Sequence, residues 1–512
     1  MTLDPITLSV LAGALSGIAE EMGTVLVRSA YSSNIKERRD CSAAIFDAEG
    51  TMVAQAEHIP VHLGAMPEAV AAVRTRDPEP GDVFAVNDPF SGGNHLPDIT
   101  LVSPLPDHDG EIVGYAVTRA HHSDIGGMRP GSMPSGSRDI WAEGLVIPPV
   151  RLVHRGEPVG DVLDLILANT RTPKVRRGDF RAQIAANRLA ADRLLELIDR
   201  RGRDTVLAAF EQVVAYTERR TREAVAALPD GEYRASGEIE GDGVTDDDIP
   251  IEVLVRIDGD TMTIDFEGTS GPVAGNVNCP LSVTRSACFF ALRLVLPDDV
   301  PANAGTYAPL EVLVPEPCLL NAKRPSAVVA GNVETSQRVA DTVIAALGQA
   351  TDLPAGGTGT MNNLVIGGTS GEGWSYYETI GGGQGASAAG PGPSGVHVGM
   401  TNTLNTPIEA LELEYPMRVE RYELADGSGG DGRHRGGDGI VRSIRVLEAA
   451  SLSLLTDRRR HPPRGADGGE PGALGRNLLD DDELPPKVSR DLDPGQVVTV
   501  ITPGGGGHGD GG

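Results

Sequence analysis

One 41-residue stretch, Asn87 to Gly127, brings together side chains able to bind a metal or move a proton at His95, Asp98, His121, His122 and Asp124. They form two short clusters separated by one hairpin's worth of apolar sequence. Imidazole and carboxylate are the donors that Zn²⁺ and Mn²⁺ accept, so two strand ends brought side by side would set both clusters around one ion. His95 and Asp98 are three apart with Pro97 between them, and in an extended segment they would face opposite sides. A turn at Leu96-Pro97 is therefore required if both are to bind. His121 and His122 are neighbours at a strand end, where alternation lets only one ligate and leaves the other to orient it or touch substrate. Asp124 or the second histidine is the candidate general base.

Three further groups belong to the same neighbourhood. Asp40 closes the charged run Glu37 to Asp40 just ahead of an apolar strand, which by itself reads as a solvated strand end. His58 and His62 follow the next strand in an H-x-x-x-H spacing; Pro60 between them opposes a helix, so both are read as pocket lining rather than ligands. Asn94, beside His95, is grouped with them as a substrate-binding candidate.

The elements that would position these residues are legible in outline. Asp4 can cap and Pro5 can start a helix whose apolar residues recur at Leu8, Leu11, Leu15, Ile18, Met22 and Val25. Ala43 to Phe46 and Thr51 to Gln55 read as a hairpin turning at Asp47 to Gly50. A short helix is expected over Met66 to Arg74, then strands into each histidine cluster. Residues 128–149 carry too many glycines and prolines for regular structure and read as an active-site loop. Phe180 to Leu228 is helical with a break at Gly202, and D-G turns mark hairpins beyond Pro229. The final VVTVITPGGGGHGDGG reads as a strand running into a flexible or pocket-capping glycine tip. The expected fold is α+β: a metal-binding α/β domain over 1–179, a helical hairpin over 180–229, an α+β domain with Gly-rich loops over 230–400, and a β-rich region over 401–512.

Composition narrows the function classes. A net charge of −28 opposes nucleic-acid binding. Cys41, Cys279, Cys288 and Cys318 show no C-x-x-C spacing, so neither a disulfide framework nor a thiolate zinc site is indicated. The amino end lacks a basic leader and a continuous apolar run, so neither signal peptide nor membrane span is expected and the cytoplasm is the default. GGGQGA matches neither a Walker A loop nor a dinucleotide fingerprint.

Taken together, IKERRDCSAAIFD (35–47), VNDPFSGGNHLPDIT (86–100), AHHSDIGG (120–127), YYETIGGGQGA (376–386), MTNTLNTPIEALELEYP (400–416), GRHRGGDGI (432–440) and TPGGGG (502–507) resemble the hydantoinase B/oxoprolinase family. That family includes the B-type chain of N-methylhydantoinase and is related to the metal-binding subunit of acetone carboxylase. The resemblance implies a B-type chain of an ATP-dependent cyclic-amide hydrolase opening hydantoin, 5-oxoproline or a lactam. Its A-type partner, of ATPase fold, would use ATP and Mg²⁺ to phosphorylate the carbonyl, and hydroxide generated at one divalent metal (Mn²⁺ or Zn²⁺, with Fe²⁺ as a further choice) would attack it. An (αβ)2 assembly is implied. The ligands carried over are Asp40, His95, Asp98 and His121, leaving His122 and Asp124 for catalysis and His58, His62 and Asn94 for substrate. The alternatives are the metal-binding subunit of a ketone carboxylase and a metal-stabilised scaffold. One departure stands out: VHVGMTNT has Val398 and Gly399 where the family commonly has a second His or a Thr.

Overall fold

The computed structural model describes residues 1–368 and 373–511. Helices and four sheets make up a mixed α+β body, as expected.

The first sheet carries the site. Its strands are β1 (Cys41–Asp47), β2 (Met52–Glu57), β3 (Val83–Val86), β4 (Asp98–Pro106), β5 (Ile112–His121), β6 (Val150–His154) and β7 (Glu157–Pro158), in the order β2-β1-β5-β4-β3-β6-β7. β1 is apolar from Ala43 to Phe46. Ala43 and Ile45 face a core shared with the first helix, whereas Ala44 and Phe46 face the opposite core. A strand buried on both faces has no polar side to alternate with.

The first helix, Pro5–Ser29, starts where Asp4 accepts hydrogen bonds from the amides of Ile6 and Thr7. It buries Leu11, Leu15, Ile18, Met22 and Leu26 at helical spacing. It is long and apolar enough to cross a membrane, but that stripe packs on β1, β2 and the helix Pro173–Arg201. The latter starts seven residues before Phe180, because Pro173 supplies the fixed first-turn geometry. Its Gln183 donates to the carbonyls of Ile99 and Thr118 and Asn187 to that of Leu101, clamping β4 and β5 from one side. The partner helix, Arg203–Val225, follows Gly202 at φ 83°. The first helix of the pair thus lies on the first sheet, while the second packs on it, on the amino-terminal helix and on the short helix Ala304–Tyr307.

The second sheet orders β8 (Gly231–Glu240), β9 (Asp248–Asp258), β10 (Thr261–Asp265) and β11 (Leu310–Leu313) as β11-β10-β9-β8. The third joins β12 (Asn363–Gly368) and β13 (Trp374–Glu378) to strands from beyond residue 400.

β14 (Met417–Ala425), β15 (Gly439–Val446), β17 (Arg476–Leu479), β18 (Asp482–Glu483) and β20 (Val497–Ile501) form the fourth sheet, while β16 (Ala450–Leu455) and β19 (Lys487–Leu492) complete the third as β13-β12-β16-β19. The expected boundary at 400/401 is therefore crossed by the pairing of Asn363–Gly367 with Ser451–Leu455. Leu364, Ile366, Leu452 and Leu454 of the third sheet share a core with Ile440, Ile444, Val498 and Val500 of the fourth.

The glycine-rich tail is not a flexible tip. The amide of Gly505 donates to the Gly437 carbonyl at 2.9 Å and that of Gly506 to Gly356 at 2.8 Å. A Cβ on Gly505 would sit 2.0 Å from the carbonyl oxygen of Gln384. Backbones this close exclude any side chain, so the composition that reads as loose in sequence packs as a buried stack.

Candidate metal centre

Three adjacent strand ends build the site. Asp98 opens β4, His121 closes β5, and the two are register partners. Asp40 precedes β1, and its carbonyl accepts the His121 amide at 3.1 Å. His95 joins through the turn the sequence requires, with the Asp98 amide donating to the His95 carbonyl at 3.1 Å. Gly93 makes room for the approach, since a Cβ there would lie 2.2 Å from the Asn87 carbonyl oxygen.

The result is a triangle of donor atoms. His95 Nε2 is 3.3 Å from Asp98 Oδ1 and 3.3 Å from His121 Nδ1, and His121 Nδ1 is 3.4 Å from Asp98 Oδ1. Edges of that length are those of a tetrahedron whose centre lies about 2.0–2.1 Å from each corner, the length of Zn–N and Zn–O bonds. Asp40 Oδ2 lies 3.9 Å from His121 Nδ1. All four residues are buried, and Asp98 Oδ1 accepts no protein hydrogen bond. A buried carboxylate oxygen facing two imidazole nitrogens with no committed donor fits a divalent cation. Burial pushes the Asp98 carboxyl up, but the imidazoles of His95, His62 and His121 beside it outweigh that and hold it well below the usual carboxylate range. Asp98 is thus an anion ready to ligate.

The surroundings assign the remaining candidates. His62 sits on a 3₁₀ turn, Pro60–His62, fully buried. Its Nε2 lies 3.5 Å from Asp98 Oδ2 and its Nδ1 3.0 Å from Ser42 Oγ. It therefore belongs to the cluster's own shell, not to an open pocket wall. Asn94 also belongs there: its Nδ2 donates to Asp98 Oδ2 at 3.3 Å and its Oδ1 accepts from Arg119 Nη1 at 2.8 Å. With both ends committed and no exposure, Asn94 positions Asp98 and has no face left for substrate. His58 is half-buried beside Gly23, and its carbonyl accepts from Asn402 Nδ2 at 3.1 Å.

His122 and Asp124 do not reach the cluster. Strand alternation sends His122 to the other face, where its Nε2 meets Gln183 Oε1 at 3.0 Å and its ring lies 5.0 Å from that of Phe180. Burial, with Arg176 nearby, pushes its imidazole down to about 4. Asp124 is a loop organiser: it accepts from the amides of Gly126, Gly131 and Arg171 and from Arg171 Nη1. The acid–base roles expected of this pair are corrected accordingly. His122→Phe is expected to leave metal stoichiometry unchanged by elemental analysis while costing about 1–3 kcal/mol in urea unfolding, because Gln183 loses its buried partner.

Residues outside the histidine motifs complete the wall. The Tyr377 ring stacks on His121 with centroids 4.4 Å apart and planes at 8°. Its hydroxyl donates to Asn363 Oδ1 at 2.8 Å, and Asn363 Nδ2 donates to Glu334 Oε1 at 2.8 Å. Burial pushes the Glu334 carboxyl up to about 7. Tyr377 lies in the YYETIGGG motif, but nothing in the sequence says that β13 reaches the first sheet. A cavity of about 540 Å³ is lined by Pro60, Arg338, Asp341, His397, Val398 and Gly399 among others, and by none of Asp40, His95, Asp98 or His121. The departure at Val398 and Gly399 therefore faces this cavity.

The chain as a whole has relatives among known proteins. The family model for hydantoinase B/oxoprolinase matches residues 4–511, and the chain belongs to that family. It is 35% identical to the B-type chain of a putative D-/L-hydantoinase from Pseudomonas sp. (strain NS671), over 99% of this chain and 90% of the relative. It is 39% identical to 5-oxoprolinase 1 of Arabidopsis thaliana over 99% of this chain, but spans only 42% of that longer protein. Among solved structures, the ATP-dependent caprolactamase from Pseudomonas jessenii superposes with a TM-score of 0.92 at 31% identity, covering 100% of this chain and 92% of the other. Nucleotide-free acetone carboxylase shares the fold, with a TM-score of 0.90 at 19% identity over 99% of this chain and 76% of the other.

Proposed function

We propose that this chain is the B-type component of an ATP-dependent cyclic-amide hydrolase that opens a hydantoin, 5-oxoproline or lactam ring. The observation that carries the reading is the buried triangle of His95 Nε2, Asp98 Oδ1 and His121 Nδ1 at 3.3–3.4 Å. Family membership and the names of the relatives supply the reaction class.

In this reading Asp40, His95, Asp98 and His121 hold one divalent ion, Mn²⁺ or Zn²⁺ or Fe²⁺. When bound, such an ion polarises a carbonyl and brings the pKa of water toward neutrality. His62, in place of His122 and Asp124, sets its Nε2 3.5 Å from Asp98 Oδ2. Asn94 donates to the same oxygen at 3.3 Å, which leaves Oδ1 facing His95 and His121, where it would be free to hold the ion. Tyr377 covers the outer face of His121 and keeps bulk water from it.

An unactivated amide is a poor electrophile, and phosphorylation of its carbonyl oxygen by an A-type partner using ATP and Mg²⁺ removes that obstacle. The chain alone is therefore expected to open no ring, and to do so only with the A-type partner, ATP and Mg²⁺, as part of an (αβ)2 complex. Product formation from hydantoin, 5-oxoproline and caprolactam, with and without the partner, checks this. Ring opening by the lone chain would refute the division of labour. Bicarbonate-dependent ATP use on a ketone would place the chain with the carboxylases, and full activity after loss of the ion would reduce it to a scaffold.

A further inference from the structure

His508 stands on the glycine tail with 6% of its surface exposed, and its Nε2 has no hydrogen-bond partner among the described residues. A buried imidazole nitrogen left without a partner is costly, so the groups it faces matter. They are two carboxylates from elsewhere in the chain. Asp467 Oδ2 lies 3.0 Å away, out of line for a hydrogen bond, and Asp352 Oδ1 lies 3.9 Å away. The three donor atoms fall within 4.8 Å of one another. Among the described residues no lysine or arginine pairs with either carboxylate. Glu79, Asp82 and His154 also lie together, but there Arg155 takes Glu79, and Arg151 with the Arg155 amide takes Asp82.

The backbone holds the three residues in place. His508 and His434 exchange amide-to-carbonyl hydrogen bonds at 2.9 and 3.0 Å. On the other side the Ala466 amide donates to the Gly507 carbonyl at 2.9 Å and the Gly509 amide to the Ala466 carbonyl at 3.0 Å, which sets Asp467 beside the imidazole. Asp352 follows the helix Ser336–Leu347. Four residues further on, Gly356 accepts from the Gly506 amide at 2.8 Å and donates to the Arg464 carbonyl at 2.9 Å. Three segments far apart in sequence thus meet at one point, and both Asp352 and Asp467 line the 540 Å³ cavity.

Separations of 3.0 and 3.9 Å bracket the roughly 3.3–3.4 Å between donors around a tetrahedral Zn²⁺ with bonds of about 2.0–2.1 Å. The Asp352 and Asp467 side chains are 68% and 71% exposed, so they can settle onto an ion without disturbing the core, and the open side admits water. One imidazole with two carboxylates suits Zn²⁺ or Mn²⁺, whereas Mg²⁺ and Ca²⁺ take oxygen donors. We propose that Asp352, Asp467 and His508 form a second divalent-metal site, of Zn²⁺ type, at the rim of the cavity. An ion there pins the tail to the loop between β16 and β17 and to the segment after the helix Ser336–Leu347. The site does not depend on ring opening.

The tag-free full chain is dialysed against Zn²⁺ in the presence of excess Mg²⁺, and its zinc is counted by elemental analysis. The wild type is expected to hold one equivalent more than His508→Ala, and one more than the double variant Asp352→Asn/Asp467→Asn, whose exposed positions keep the fold intact. Asp98→Ala should retain that equivalent and lose it when His508→Ala is added. Equal zinc in the wild type and the double variant overturns the site and leaves an ordinary His508–Asp467 ion pair. One equivalent in the wild type and none in the double variant keeps this site and removes the strand-end triangle as a zinc centre. One equivalent that vanishes with Asp98→Ala and survives in the double variant does the reverse.

Discussion

His95→Ala and Asp98→Ala are each expected to abolish stoichiometric metal binding and to lower ring opening by about a thousandfold or more, while the protein stays folded. Several kcal/mol of transition-state stabilisation is what a catalytic metal supplies, and each 1.36 kcal/mol is a factor of ten. Each substitution removes one corner of a three-atom arrangement with edges of 3.3–3.4 Å. The fold should survive, because β4 and β5 remain paired from Asp98 to Pro106 and stay clamped by Gln183 and Asn187. Elemental analysis, circular dichroism and product assay with the A-type partner together check the point. Full metal occupancy in both variants would sink the assignment of these residues as ligands.

Asp457→Asn is expected to be the most destabilising single change away from that centre, by about 3–5 kcal/mol at pH 7, because it leaves buried cations without their carboxylate. Asp457 has no exposure. Its Oδ2 accepts from Arg338 Nη2 at 2.8 Å and its Oδ1 from the Glu240 amide at 3.1 Å, with Lys487 Nζ at 3.8 Å. One carboxylate thereby fastens β8, the helix Ser336–Leu347 and β19 to the end of β16. Burial raises its carboxyl, but Lys487 and Arg338 outweigh that and bring it from the ordinary 3.8 down to about 2. A group whose folded value is depressed stabilises above its unfolded value and loses that contribution as the pH falls through the folded one. The gap between wild type and Asp457→Asn in urea unfolding should therefore be full above about pH 4 and narrow as the pH falls toward 2. A gap that widened on acidification would contradict this account of Asp457.

Local signals made much of the first sheet legible. The capped first helix, the β1–β2 hairpin, the helix Met66–Arg74 and the turn swinging His95 toward Asp98 all rest on interactions within a few residues. The choice between His121 and His122 is a matter of strand alternation, and one of them had to point away. The glycines of the tail were legible as glycines but not as a buried stack, since close backbone approach depends on Gly437, Gly356 and Gln384 far off in the chain.

By itself, the sequence determined the donor types, the strand ends that carry them and the family's motifs, because periodicity, turns and spacing are local properties of the chain. Only the tertiary structure decided that His62 and Asn94 support Asp98, that Tyr377 lies on His121, and that His122 and Asp124 turn to other tasks. It also decided that strands on both sides of residue 400 share one sheet. Those outcomes depend on which distant segments pack together to bury apolar surface, and that pairing is set by the whole core, not by any stretch of neighbouring residues.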